Sequence, residues 1–225
     1  MNAVLTLTRS TIGKKVVMAS TGAIMVGWLT AHMLGNLQVF LGEEVLDRYG
    51  ELIQSQVEVL WVMRIALLGI LVSHVASAIA LATQARAARS VGYAGGRATQ
   101  ASTPAARSMR WGGLVILLYL IFHIADLTAG MSWANPAYQY GEVYHNLTSS
   151  LQRPPIAGLY IVASLALAMH LYHGVYSIFQ TLGINQIGDR DAARQAGLFF
   201  AVLVGGGNIL IALAIVTRIV GGVTP

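Results

Sequence analysis

Residues 156–182, IAGLYIVASLALAMHLYHGVYSIFQTL, hold no Asp, Glu, Lys or Arg, yet they hold two histidines, His170 and His173. A helix rises about 1.5 Å per residue and needs about 20 apolar residues to cross roughly 30 Å of hydrocarbon. The run is therefore read as a membrane span. Its apolar positions follow one another instead of alternating, which argues against a barrel strand. Working outward, the same reading finds four more segments, and the predicted spans are approximately 16–41, 59–83, 111–131, 156–182 and 197–220. Lys14 and Lys15 precede a first segment too long for a signal-peptide core and without a small-residue exit site, so it is read as a retained span.

Composition agrees. Of 225 residues, 56 % are hydrophobic and 10 % charged, and the mean hydropathy is +0.64. A soluble domain carries roughly a quarter charged residues, so this chain cannot cover a water-facing surface. The absence of cysteine excludes disulfides, thiolate nucleophiles and cysteine-held iron–sulfur clusters, leaving histidine as the strong soft-metal ligand. The net charge of +5 does not point to nucleic acid, because the basic residues follow the spans. Arg9, Lys14 and Lys15 precede the first span. Arg86, Arg89, Arg97, Arg107 and Arg110 lie between the second and third, and Arg190 and Arg194 between the fourth and fifth. The other side holds Arg48, Arg153 and Arg218, with Arg64 just inside the second span, and an acidic loop of Glu43, Glu44, Asp47 and Glu51. The positive-inside rule then puts the amino terminus in the cytoplasm and the carboxyl terminus outside. Trp61, Trp111 and Trp133 fall at predicted span ends, and 91–104 reads as a long inner loop.

The first three spans carry one histidine each, His32, His74 and His123, and the fourth carries His170 and His173. A lone histidine in a span can be a polar contact between helices; one in each of four spans points to function. His32 stands about 16 residues, and His123 about 12, from the inner starts of their spans, whereas His74 stands about 15 and His170 about 14 from outer starts. The four thus sort into two pairs at two depths, which two stacked six-coordinate hemes require. Zinc would need its ligands gathered in one place. Gly35 and Gly174 share helical faces with His32 and His170 and are read as room for a macrocycle, beside the plainer reading of small-residue packing. Spacing alone does not choose between His170 and His173.

The stretches Lys15-Val-Val-Met-Ala-Ser-Thr-Gly22, His32-Met-Leu-Gly-Asn-Leu-Gln-Val-Phe-Leu-Gly42 with Tyr49, His74 with Gln84-Ala-Arg-Ala-Ala-Arg89 and Val91-Gly-Tyr93, Phe122-His-Ile-Ala-Asp126, and His170-Leu-Tyr-His-Gly-Val-Tyr-Ser-Ile-Phe-Gln-Thr-Leu-Gly183 carry a resemblance. They resemble the five-helix, diheme cytochrome b membrane subunit, of the cytochrome b558 type, of succinate:quinone oxidoreductases and fumarate reductases. The resemblance covers about residues 9–185. It implies an all-α membrane protein with five transmembrane helices in a single domain, the first four forming a heme-binding bundle. It further implies two heme b groups, the distal on His32 and His123 and the proximal on His74 and His170. His170 is chosen because the family's ligand stands four residues before the Gly of a stretch that here is Gly174-Val-Tyr-Ser177. The implied partners are a flavoprotein subunit, an iron–sulfur subunit, membrane lipid and a quinone, with menaquinone expected, in a bacterial cytoplasmic membrane. The complex is left free to form a homo-oligomer. Two departures stand out: Ala168 replaces a proton-carrying Glu of some diheme fumarate reductases, and Tyr176 stands at a Trp-like position.

Further expectations concern single residues. His173, Arg64, Lys15 and Arg86 are candidates for heme propionates, with Lys14 and Arg89 beside them, although snorkelling and positive-inside bias also account for the cations. Ser20, Thr21 and Asp126 are candidates for a quinone site; helix packing is the plainer reading for the first two, and for Asp126 a solvated position near the outer surface stands equally beside a role in quinone protonation. His145, with Tyr138, Tyr140 and Tyr144, is read as outer surface. Two rival functions are the cytochrome b anchor of another quinone-linked dehydrogenase, such as a hydrogenase or formate dehydrogenase, and a heme-free transporter that relays protons through buried histidines.

Overall fold

A computed structural model describes residues 10–88, 104–184 and 190–222. Among them every regular element is helical: α1 Thr11–Asn36, a 3-10 segment Leu37–Leu41, α2 Glu43–Ser55, α3 Val57–Ala87, α4 Pro104–Leu127, α5 Val143–Leu151, α6 Pro154–Thr181, α7 Arg190–Phe200, a π-helical turn Ala201–Gly206, and α8 Gly207–Val216. Five helices are long and apolar enough to cross a membrane: Thr11–Leu41, Val57–Ala87, Ser108–Leu127, Pro154–Thr181 and Asp191–Val216.

Local chemistry explains where the helices begin and end. Ser10 caps α1, its hydroxyl accepting the Gly13 N–H at 2.9 Å. Gly42, at φ +102°, turns the chain from the 3-10 segment into α2; a side chain there would be strained. Glu43 and Glu44 occupy the first turn of α2, where the helix dipole favours negative charge. Pro154 opens α6, where its missing N–H costs nothing.

The outward faces of the long helices are apolar. Val62, Ile65, Leu68 and Val72 of α3 are between 58 % and 69 % exposed, a contiguous surface that calls for hydrocarbon around it. Inward, α6 is the central helix: it packs on α1, on α4 and on the whole of the fifth span. Gly205 and Gly207 let that span approach closely, since a Cβ on Gly205 would meet the Ser164 carbonyl oxygen at 3.1 Å and one on Gly207 the Met33 sulfur at 2.6 Å. In the remaining bundle α1 packs along α3. In contrast, α1 and α4, and likewise α3 and α6, make almost no backbone contact.

One end of the bundle is capped by α2 and α5. The Tyr144 N–H donates to Asp47 at 2.8 Å, the Gly221 N–H donates to the Tyr144 hydroxyl at 3.1 Å, and Gln152 donates to the Gly221 carbonyl at 2.9 Å. Beneath them lies the main apolar core, with Met33, Val39, Leu46, Leu151, Ile211 and Ile215.

Three details go beyond the approximate bounds read from the sequence. The third span ends at Leu127 and not at Met131, because the chain reverses at Gly130 (φ +59°), against which the Tyr138 ring is packed. The fifth helical segment begins at Arg190 and ends at Val216, with an amphipathic first stretch. The connections read as outer loops contain α2 and α5. The inner-loop reading of 91–104 falls almost wholly outside the described residues, as do Arg9, Arg89 and Arg97.

Candidate functional site

Four histidines meet in two pairs. The ring of His32 on α1 stands opposite that of His123 on α4, with centres 6.0 Å apart. His74 on α3 stands opposite His170 on α6 at 6.4 Å. These are the helix pairs whose backbones barely touch, so the imidazoles reach across the space between them. His32 and His123 lie toward the capped end and the other pair toward the far end. The two positions are about 15 Å apart along the bundle on three separate helices, from Thr21 to His32, from Gly113 to His123 and from Tyr160 to His170, at about 1.5 Å per residue.

Hydrogen bonds fix the tautomer of one ring in each pair. His74 Nδ1 lies 3.1 Å from the Met18 carbonyl oxygen and 3.2 Å from the Thr21 hydroxyl. A carbonyl only accepts, and the Thr21 proton goes to the Val17 carbonyl at 2.7 Å, so Nδ1 is the donor and Nε2 keeps its lone pair. His123 Nδ1 lies 3.3 Å from the Tyr160 hydroxyl, which donates its own proton to Asp126 at 2.6 Å. The phenol oxygen therefore accepts from His123, and again Nε2 carries the lone pair. His32 is held differently, its ring stacked on Trp28 one turn earlier at 4.9 Å.

Asp126 is wholly buried. Besides Tyr160 it accepts the Ser150 hydroxyl at 2.8 and 2.7 Å, and Arg153 stands 3.5 Å away. Arg153 also donates to the Ala134 carbonyl at 2.7 Å, the Ser150 hydroxyl at 3.0 Å and the Ser150 carbonyl at 3.2 Å. A carboxylate can be enclosed in this way because Tyr160, Ser150 and Arg153 all present donors to it. Of the two positions open to it from the sequence, near the outer heme or solvated at the surface, Asp126 is not at the solvated one: it is enclosed by protein.

Other predicted residues separate into two groups. Thr21 is at the site, beside His74, whereas Ser20, Lys15 and Arg86 are exposed. Arg64 is exposed too, its guanidinium 5.3 Å from the Trp61 ring centre. His170, not His173, stands opposite His74; His173 is half-buried. Gly35 is packed against α2, since a Cβ there would meet the Tyr49 ring at 2.9 Å, which accords with the small-residue packing reading. The glycines nearest the imidazoles are Gly22 and Gly113: a Cβ on Gly22 would stand 3.4 Å from His74 Cε1 and one on Gly113 3.7 Å from His170 Cε1. Among the described residues, nothing beyond its own helix turn lies within 4 Å of a Cβ on Gly174. His145 donates to or accepts from the 137–139 loop, with Nε2 at 2.9 Å from the Ala137 carbonyl, so it is the donor there.

Sequence reasoning missed Tyr160, Ser150 and Trp28, and it treated Arg153 only as a loop charge. Trp28 was accessible, because it stands four residues before His32. Ser150 and Arg153 gave no signal, since their partners come from another helix.

The geometry defines an all-helical chain with five membrane-length apolar helices and two stacked pairs of imidazoles. Among the described residues, no three His, Cys, Asp or Glu side chains gather as a closed metal site would need. The chain matches no known family model, no curated protein and no solved structure.

Proposed function

We propose that the chain is the membrane cytochrome b subunit of a succinate:quinone oxidoreductase. Its first four spans form the bundle that holds two b-type hemes, one between His32 and His123 and one between His74 and His170. The observation that carries this reading is the separation of the rings. An imidazole bound through Nε2 has its centre about 3 Å from the metal, given a bond of about 2.0 Å, so two rings on opposite sides of one metal have centres about 6 Å apart. The separations here are 6.0 and 6.4 Å.

Edge-packed aromatic rings also sit about 4.5–7 Å apart, and the hydrogen bonds favour the metal reading over that one. A ligating histidine typically donates its other N–H to a carbonyl, carboxylate or similar acceptor, as His74 and His123 do. His170 Nδ1 is buried without a hydrogen-bond partner. Among the described residues no hydrogen bond therefore fixes the tautomer of His170, as none fixes that of His32. The donor set of paired imidazoles suits heme iron.

When bound, each heme supplies a reversible one-electron couple. The chain holds the two imidazole pairs about 15 Å apart along the bundle and surrounds them with apolar helices. Succinate would be oxidised on a separate flavoprotein subunit and its electrons delivered through a separate iron–sulfur subunit. The far end of the bundle, where Lys15 and Arg86 are exposed, faces the cytoplasm of a bacterium and takes that subunit; the capped end faces outward. A membrane quinone, menaquinone in this reading, is the acceptor.

The test is to purify the chain from its native membrane with its companions and to record the reduced-minus-oxidised spectrum and the heme-to-protein ratio. Two b hemes per chain, reduced by succinate, are expected. No heme would overturn the reading and favour the proton-relay transporter, and reduction by hydrogen or formate alone would reassign the chain to another dehydrogenase.

A further inference from the structure

We infer that Tyr160 and Asp126 are positioning residues for the His32–His123 centre: Tyr160 fixes the His123 tautomer, and Asp126 acts on the imidazole through the Tyr160 hydroxyl. The inference rests on the heme reading above.

A hydroxyl has one proton. The 2.6 Å bond from Tyr160 to Asp126 takes it, so toward His123 the phenol oxygen can only accept. The order His123 Nδ1–H, Tyr160 O–H, carboxylate is therefore directional. Tyr160 is held in place by Tyr119 and Phe122, whose rings pack edge-on against it at 5.1 and 6.3 Å. Asp126 is held by Ser150 and Arg153, from beyond the bundle core.

The two imidazole pairs thus differ in what stands behind a ligand. His74 is backed by a neutral carbonyl and a threonine hydroxyl; His123 is backed by a buried carboxylate relayed through a phenol. A hydrogen bond that leads to an anion pushes electron density onto the imidazole and favours the more positive, ferric state of a bound iron. Removing it should raise the midpoint potential of that centre alone.

The experiment is a spectroelectrochemical titration of the purified complex carrying Tyr160→Phe, Asp126→Asn or Ser150→Ala, with His123→Ala used to identify the heme concerned. Tyr160→Phe should raise that heme's potential by an amount equal to at least a tenfold change in its reduced-to-oxidised ratio, about 59 mV for a one-electron couple, and leave the other heme unmoved. Asp126→Asn, which retains an oxygen acceptor for the Tyr160 hydroxyl, should shift it in the same direction. Ser150→Ala takes a competing donor from Asp126 and should leave the potential unchanged or lower. Unmoved potentials in Tyr160→Phe and Asp126→Asn would overturn the inference, as would equal shifts of both hemes. If Tyr160→Phe sheds the heme, Asp126→Asn decides: a raised potential supports the chain, and loss of heme there too marks a packing role and overturns it. Absence of heme from the wild-type complex would instead defeat the underlying reading.

Discussion

Arg153 is the residue whose removal should be felt most widely. It is 34 % exposed in its side chain, but Asp126 is fully enclosed, and Arg153 is the cation within ion-pair reach of that carboxylate among the described residues. Arg153→Ala removes the pair at 3.5 Å and the bonds to Ala134 and Ser150. Breaking a buried pair by deleting one partner costs about 3–5 kcal/mol. Water reaches the exposed part of Arg153 and weakens the pair, while the freed carbonyl oxygens add a share of the lost hydrogen bonding. The expected loss is about 2–4 kcal/mol. Arg153→Lys keeps the charge but not the planar fork that spans Ala134, Ser150 and Asp126, so it should recover only part of this. Pairing Arg153→Ala with Asp126→Asn should cost less than the two single changes summed, because no uncompensated charge remains. The assay is unfolding of the full chain in mixed micelles of increasing sodium dodecyl sulfate, followed by far-ultraviolet circular dichroism. An Arg153→Ala protein within about 0.5 kcal/mol of wild type, as for an ordinary surface change, would refute the reasoning.

Two further outcomes are expected. His32→Ala and His123→Ala should each abolish mainly one heme, and His74→Ala and His170→Ala mainly the other, while His173→Ala keeps both; the pyridine hemochrome assay reads this, and a heme lost in His173→Ala but retained in His170→Ala would reverse the ligand assignment. Gly197→Ala would set a Cβ 2.6 Å from the Tyr172 carbonyl oxygen, so it should destabilise the chain by about 1–3 kcal/mol; Gly27→Ala, with no atom within 4 Å, should not, as the same micelle titration would reveal.

The spans were legible because crossing hydrocarbon imposes a length and a composition that read directly from the chain. Depth was legible in part: counting residues from span ends groups His32 with His123 and His74 with a histidine of the fourth span, and the rings that stand opposite one another are His32 with His123 and His74 with His170. What could not be read is whatever depends on rotation about a helix axis. Gly35 and His32 lie three residues apart and share a face, but that face turns Gly35 toward Tyr49 of α2, a helix that the acidic loop composition disguised. The choice between His170 and His173 is of the same kind, because a difference of three residues becomes a difference in direction only when neighbouring helices are placed.

Asp126 shows why depth was an insufficient guide to its surroundings. Counted from the span end it falls near the surface, where water would satisfy a carboxylate. Yet α5 and the start of α6 fold over that end and bring Ser150, Arg153 and Tyr160 to it, so protein donors replace water. Such replacement is tolerable only when every lone pair facing inward is met, since an unmet buried charge is expensive. The same enclosure gives the carboxylate a fixed direction toward His123, which a solvated side chain would lack. The capped end therefore orients His123 through side chains from α4, α5 and α6, whereas His74, at the far end, depends on a backbone carbonyl and a threonine of α1. The elements most easily mistaken for loops are those that make the two histidine pairs unlike.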